Sequence, residues 1–457
     1  MEQRPHFSYM VYELRRFRWI LLFIGVRLLA ESLGGNAPRL YPIELFGLLV
    51  ILLYVGCRWW VCRYRVFSSH NGRFHGLGVW QGLVLRRSLH IDAEAAASVE
   101  IEKTPLLWLL GGRCVRVNTA GLRRRADAQL YLSAARVKRL FPSYYCKARY
   151  RAARWPVLIM SLTGSNAAVG LLTVAPFLGR LGRLLGERVT PDVVGLVERY
   201  VRLGLPPVLR ITANTLVLGW SVAALHNFLR YVGFSAKRED NCLRLKSGLF
   251  TQREVLIDCR KITLLELRQT LTMRLFSLHT AVIAAAGYGR DLGARPVLIP
   301  AARLAELHGC LKRLLPEYSL DKATILPVKG AWRRYTAAPL ALLAVGAVMS
   351  CFGSWWRAAS FVWIGFSVWW LWVRWFGVKQ AGFSYGKEGV VLSYPQGLAL
   401  YRVYLPYNAV DTVTVTQSPF QRRRRVCSVR VRCYGEKKRV HRLWGLPYGE
   451  VKELLAT

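Results

Sequence analysis

Two segments of this chain carry the same residue pairs in the same register. Gly82-Leu83, Lys103-Thr104 and Ala120-Gly121 recur as Gly248-Leu249, Gln269-Thr270 and Ala286-Gly287. The step from the first pair is 22 positions to Thr104 and to Thr270, and 39 positions to Gly121 and to Gly287. Gly397-Leu398 and Gln417-Ser418 form a third copy, with a first step of 21. An internal repeat of this kind constrains the fold before any local element is assigned. It replaces the search for one active site with the question of what three related modules do together.

Each copy follows a pair of apolar runs. The first hairpin covers 17–61, as Phe17 to Leu33 and Leu40 to Val61 around Gly34-Gly35-Asn36. The second covers 155–229, as Trp155 to Leu178 and Leu205 to Leu229 with a long connection at 179–204. The third covers 337–376, as Ala337 to Gly353 and Ala358 to Phe376 around a tight turn at Ser354 to Arg357. About 20 apolar residues cross a hydrocarbon core, so six spans are expected. Arg15, Arg16 and Arg18 before the first span, and Arg58, Arg63 and Arg65 at the end of the second, put both ends of that hairpin and residues 1–16 in the cytoplasm. No small-residue cleavage site follows the run from Trp19, so the first span is expected to be retained. The 179–204 connection holds five Arg and weakens the charge argument there. Its segment 191–201 reads as an amphipathic helix on the outer face.

Charge narrows the partner. The 457 residues include 66 Lys and Arg against 26 Asp and Glu, a formal net charge of +40. Such a balance requires an anionic partner. The apolar spans favour anionic phospholipid over nucleic acid. Arg422 to Arg425, followed by Arg430 and Arg432, could hold polyanions nonspecifically, but no helix-turn-helix or stacking motif accompanies them, so no specific nucleic acid is expected. A membrane-protein partner or a homo-oligomer is compatible with the pattern. The ten Cys form no CxxC pair and read as reduced thiols. The eight His form no HExxH, and neither phosphate-loop nor dinucleotide fingerprint is present. The expectation is therefore no catalytic residue, no cofactor, no metal and no enzymatic activity.

After each hairpin the pattern changes to alternation. Leu243 to Lys246, Arg253 to Asp258, Leu264 to Leu267 and Ala281 to Ala286 read as strands. Helices are expected over Ala126–Leu140, Pro300–Leu315 and Pro447–Ala456. Short strands closed by one amphipathic helix describe a small β-barrel or orthogonal sandwich capped at one end. The fold class is thus membrane α plus β: three repeats of a transmembrane helical hairpin followed by such a domain.

The set Tyr231-Val232-Gly233-Phe234, Leu243-x-Leu-x-x-Gly248-Leu249, Arg253, Glu266, Gln269-Thr270, Arg274 and Ala286-Gly287 resembles the bacterial pleckstrin-homology-like (PH-like) domain of YdbS/YdbT-type membrane proteins. The third copy keeps Trp375-Phe376-Gly377, Gly397-Leu398 and Gln417-Ser418. The first keeps Gly82-Leu83, Glu102-Lys103-Thr104 and Ala120-Gly121, has lost the Gln and the basic residue after it, and is the most diverged. The resemblance implies PH-like domains at 62–145, 230–320 and 377–457, each a strongly bent seven-stranded barrel with a C-terminal helix. It also implies a non-enzymatic protein of the bacterial cytoplasmic (inner) membrane, tied to envelope integrity and resistance to membrane-active agents.

Three sets of residues are candidate sites. Trp108, Arg274, Phe276, Phe420 and Arg422, Arg423, Arg424 and Arg425 lie in equivalent linkers of the three copies and could form lipid-contacting tips. The competing reading is packing of each tip on its own hairpin. Lys246 and Arg253, with Lys237, Arg238 and Arg244, could make one basic strand face, or simply solvated charge. Arg27, Glu31 and Glu44 could form an ion pair inside the first hairpin. With Asn166, Arg210 and Asn214 they also allow a second function: a transporter or flippase-like path between hairpins.

Overall fold

The computed structural model describes residues 2–33, 40–68, 74–82, 85–119, 128–142, 146–164, 207–285, 297–318, 323–352, 354–386, 389–433 and 439–456. The chain mixes helix and sheet. Its first module opens with α1 (Ser8–Leu14), α2 (Arg18–Leu33) and α3 (Pro42–Val61). A first meander follows, β1 (Arg63–Ser68), β2 (Phe74–Gln81) and β3 (Arg87–Asp92). A second meander is β4 (Ala96–Lys103), the one-turn helix α4 (Pro105–Leu109), β5 (Gly112–Thr119) and β6 (Ala128–Ser133), closed by α5 (Ala134–Leu140).

The second module repeats this order with one added strand. It runs β7 (Ala148–Arg151), α6 (Arg154–Gly164), α7 (Pro207–Tyr231), β8 (Ser235–Glu239), β9 (Cys242–Ser247) and β10 (Gln252–Asp258). Then come β11 (Ile262–Thr270), α8 (Leu271–Leu275), β12 (Leu278–Ala285), β13 (Val297–Arg303) and α9 (Leu304–Leu314). The third module has α10 (Trp332–Ser350), α11 (Ser354–Lys379), β14 (Gly382–Gly386), β15 (Gly389–Gln396) and β16 (Ala399–Leu405). It ends with β17 (Val410–Thr416), α12 (Pro419–Arg423), β18 (Val426–Cys433), β19 (Arg439–Pro447) and α13 (Tyr448–Ala456).

The repeated Gly has a backbone reason. Gly82 and Gly248 adopt φ of +118° and +99°, and a Cβ there would collide with the carbonyl oxygens of Leu85 and Thr251, three residues on in both loops. In the third copy Gly397, at φ +57°, opens a two-residue turn between Gln396 and Ala399, where the other copies leave five residues between paired positions.

The modules are joined through their sheets. One seven-stranded sheet runs β6-β5-β4-β10-β9-β8-β7, and one six-stranded sheet runs β13-β12-β11-β16-β15-β14. The second meander of each of the first two modules therefore continues, antiparallel, into the first meander of the next. The register is the same at both junctions. Arg253 faces Glu102, the residue before Lys103, and Tyr401 faces Arg268, the residue before Gln269. A strand in such a junction is covered on both faces, so it reads as a continuous apolar run rather than an alternating one. In β11, Leu265 and Leu267 enter the second module's core while Leu264 enters the third's. In return Val391 and Tyr404 of the third module lie in the second module's core. At the first junction Leu256 of the second module packs against the first module's core.

Several expected boundaries move. Ala128–Ser133 is strand, and the helix expected from Ala126 begins at Ala134. Val297–Arg303 is strand, and the helix expected from Pro300 begins at Leu304. The expected turn at Ser354 to Arg357 is the first turn of α11. The third closing helix begins at Tyr448, one residue after the expected start. The Ala-Gly pairs at 120–121 and 286–287, Leu83, Asn166, the 34–36 loop and the whole 179–204 connection lie outside the described residues. So do the side chains of Arg210 and Asn214.

The helices preceding each module pair locally. Trp220 donates from Nε1 to the Leu162 carbonyl at 3.0 Å between α7 and α6, and Trp363 donates to the Leu342 carbonyl at 3.1 Å between α11 and α10. Among the described residues one helix, α3, is long and apolar enough to cross a membrane, with a mean hydropathy of 1.7. Pro42 occupies its first turn, and the Glu44 carboxylate accepts from the Tyr41 N–H at 3.1 Å, so its start is fixed by local chemistry.

Candidate functional site

The second repeated pair, Lys103-Thr104, Gln269-Thr270 and Gln417-Ser418, marks one construction used three times. The hydroxyl residue is the N-cap of a one-turn helix. Thr104 accepts from the Leu107 N–H, Thr270 from the Met273 N–H and Ser418 from the Gln421 N–H, each at 3.3 Å. The turn then closes through a left-handed residue eight positions after the Lys or Gln: Gly111 at φ +69°, Ser277 at +53° and Arg425 at +52°. Gln269 and Gln417 brace the return strand by donating to the carbonyls of Leu278 at 3.2 Å and Val426 at 2.9 Å. In the first module Lys103 holds this position and lies 5.5 Å from the Trp108 ring centroid instead.

Each turn exposes large apolar side chains. Trp108 is 63% exposed, Leu275 68%, Phe276 51% and Phe420 79%. The first two tips are anchored by a residue at one shared position. Leu107 packs with Tyr9, Tyr12 and Trp59 of α1 and α3, and Met273 packs with Ile159 and Met160 of α6. In both turns one side chain packs on the module's own helices while its neighbours are exposed. The third tip has Gln421 at that position, bonded to Ser428 at 2.8 Å, and buries nothing. Arg422, Arg423, Arg424 and Arg425 are all exposed around it. Arg274 is half-buried with its guanidinium 4.6 Å from the Phe376 ring centroid, so it joins the second tip to α11.

The proposed basic strand face is divided. Lys246 is exposed. Arg238 and Arg244 are buried. Arg238 donates to the Leu314 carbonyl at 2.8 Å and to Glu317 at 2.9 Å, and its guanidinium holds the Glu317 carboxyl below the usual carboxylate range. Arg244 lies 3.1 Å from Glu239 and donates to the Pro142 carbonyl at 2.7 Å. Arg253 sits at the first sheet junction beside Glu102, at 3.7 Å, and Glu100, at 3.9 Å, both shared with Arg116. The alternation rule put these residues on one side of a strand. It could not show that the segment ending at Pro142, and the end of α9, cover that side. The Glu100-x-Glu102 pair was the available signal, being an acidic doublet in a chain poor in acids.

In the first hairpin Arg27 of α2 reaches both expected carboxylates. It pairs with Glu31 one turn on, and with Glu44 of α3, to which Nε donates at 2.8 Å. The Arg27 guanidinium also lies 4.5 Å from the Tyr41 ring centroid. Sequence reasoning missed a further basic cluster near the second junction. Burial, reinforced by Arg402, His308 and Arg274, pushes His279 down to about 4.

The bacterial PH domain family matches residues 193–316 and 325–457, which hold the second module from α7 onward, the third module, and more than half of the chain. The chain belongs to the bacterial PH domain family. Its first module, outside both matched segments, has the same strand order and the same capped turn. The chain is also similar to the transmembrane protein YdbT of Bacillus subtilis (strain 168), 24% identical over 199 residues. That alignment takes in 43% of this chain and 40% of the relative. No solved structure matches.

Proposed function

We propose that this chain is a non-enzymatic, multi-pass protein of the cytoplasmic membrane. In this reading its three bacterial PH domains rest on the anionic inner leaflet through their capped turns. Six spans in three hairpins hold the domains there, and the assembly serves as a scaffold for envelope integrity. The observation that carries the reading is the recurrence of exposed Trp108, Leu275, Phe276 and Phe420 at the same turn of three modules. Two of those turns pack beside helices that lead from the hairpins, so the rings are held at the level where a headgroup region would begin. Trp and basic side chains suit that depth. A Lys or Arg near an anionic leaflet contributes about 1 kcal/mol, so Arg422 to Arg425 would give the third turn the largest electrostatic share. The shared sheets make the three contacts act together, which raises avidity without any strong single site.

The transport alternative gains nothing from the first hairpin, where Arg27 is engaged by Glu31 and Glu44. The test is a photo-cross-linking amino acid placed at 108, 276 or 420 in the full chain in native membranes. Phospholipid adducts at these positions, with few at exposed Tyr407, beyond the end of β16 that is remote from the Thr270 turn, are expected. Adducts to protein alone at all three turns would sink the lipid-contact reading.

A further inference from the structure

The repeat leaves two strand edges unmatched. In the second and third modules the last strand of the first meander, β10 or β16, pairs with the first strand of the preceding module's second meander, β4 or β11. Among the described residues no strand of a preceding module lies beside β3, and none of a following module lies beside β17. Among the described residues no strand pairs with the outer edge of either. Both are exposed along most of their length, whereas β4 and β11 are largely buried.

An open edge is unusual in this molecule. Gln3 pairs with Tyr64 on the outer edge of β1, and Ile325 pairs with Phe383 on that of β14. The His6 N–H donates to the Tyr131 carbonyl of β6, and the Val328 N–H donates to the Gly445 carbonyl of β19. Outer strand β13 carries Pro300, and outer strand β7 has only four residues. These are the usual ways in which a sheet edge is kept from pairing. β3 and β17 carry neither a proline nor such a backbone cap.

We propose that copies of this chain join head to tail, with the outer edge of β17 in one copy pairing antiparallel with the outer edge of β3 in the next. The two internal junctions supply the template and the register. The residue before Lys103 faces Arg253, and the residue before Gln269 faces Tyr401. Transferred through the repeat, the residue before Gln417, Thr416, faces Arg87, and Val413 faces His90. The half-buried Val413 and Val415 then occupy the positions of Val99 and Ile101, which the first junction covers with Leu256 and its neighbours. This contact is heterologous, so it builds a row or a closed ring rather than a two-fold dimer. It does not depend on lipid contact by the turns.

The test uses the full chain in native membranes. Arg87 and Thr416 are both exposed, so Arg87→Cys with Thr416→Cys leaves the modules intact. Mild oxidation is expected to give a ladder of cross-linked multimers several-fold above that of either single variant, which also sets the background from the ten native Cys. Arg87→Cys with Thr412→Cys, displaced four residues or about 13 Å along the strand, is expected to stay at background. A ladder no stronger than the displaced pair, or adducts of one size to another protein in place of a ladder, would overturn the proposal.

Discussion

Leu264 and Leu265 are neighbours on β11, yet their side chains enter the cores of different modules. Leu264→Ala should therefore weaken the third module although the residue belongs to the second. Leu264 is 1% exposed. Truncating a buried Leu to Ala costs about 2–5 kcal/mol, depending on how far the site collapses. Both flanking strands are fixed by ladders here, so a central value of about 3 kcal/mol applies, a factor of about 150 in the opening equilibrium. Hydrogen exchange on the full chain in lipid discs can read this locally. Amides of β18 and β19, which share no strand with β11, should exchange faster by about that factor in Leu264→Ala. Leu265→Ala should instead release β12, β13 and α9. If Leu264→Ala left β18 and β19 unchanged and loosened only β12 and β13, the exchange of core residues across the junction would be refuted.

Arg244→Met leaves Glu239 and Glu254 without their shared guanidinium in a buried site. A loss of about 3–5 kcal/mol is expected, readable as a lowered denaturation midpoint, and Arg244→Met with Glu239→Leu should recover part of it. His279 gives the second module a pH dependence. Its folded value near 4 lies below its ordinary 6.5, so between these values the unfolded chain binds a proton that the folded chain does not. Its contribution is present in full above pH 6.5 and falls as pH drops towards 4. His279→Gln should flatten the stability profile of β12 in that window, and an unchanged slope would remove His279 as its source.

The repeat made the module count and the importance of the Gly and Gln-Thr pairs legible from residues alone. What those pairs do was not legible. Thr104, Thr270 and Ser418 are caps of a helix too short to show a periodic face. Helix starts were placed too early where a strand runs directly into a helix. Leu130 and Leu132 alternate as strand residues, but the Val137 and Leu140 that follow extend an apparent helical spacing. Pro300, at which the expected helix starts, lies in an outer strand, where the missing N–H is tolerated. The sheet junctions had a faint signal in Leu264-Leu265-Glu266-Leu267, a run apolar on both faces. A single module gives no reason to ask which neighbour covers the second face. The Arg27 set was found because Glu31 lies one helical turn away and Glu44 opens the following helix.

The three turns are one device tuned in two ways. Leu107 and Met273 fasten the first two to helices of their own modules, which fixes where Trp108, Leu275 and Phe276 are presented. Gln421 replaces that anchor in the third, and four Arg surround Phe420. A turn without an apolar anchor can follow the surface it meets, and its attraction to that surface is mainly ionic. Attraction of this kind weakens as salt shortens the Debye length from about 10 Å at 0.1 M to about 3 Å at 1 M. Contacts of the first two turns, made mostly by rings and Leu, should survive the same change. Because β11 and β16 share one sheet, release of the third turn by salt need not release the second. In the proposed lipid-bound arrangement the three modules would hold their place through two apolar turns while the third responded to the charge of the leaflet.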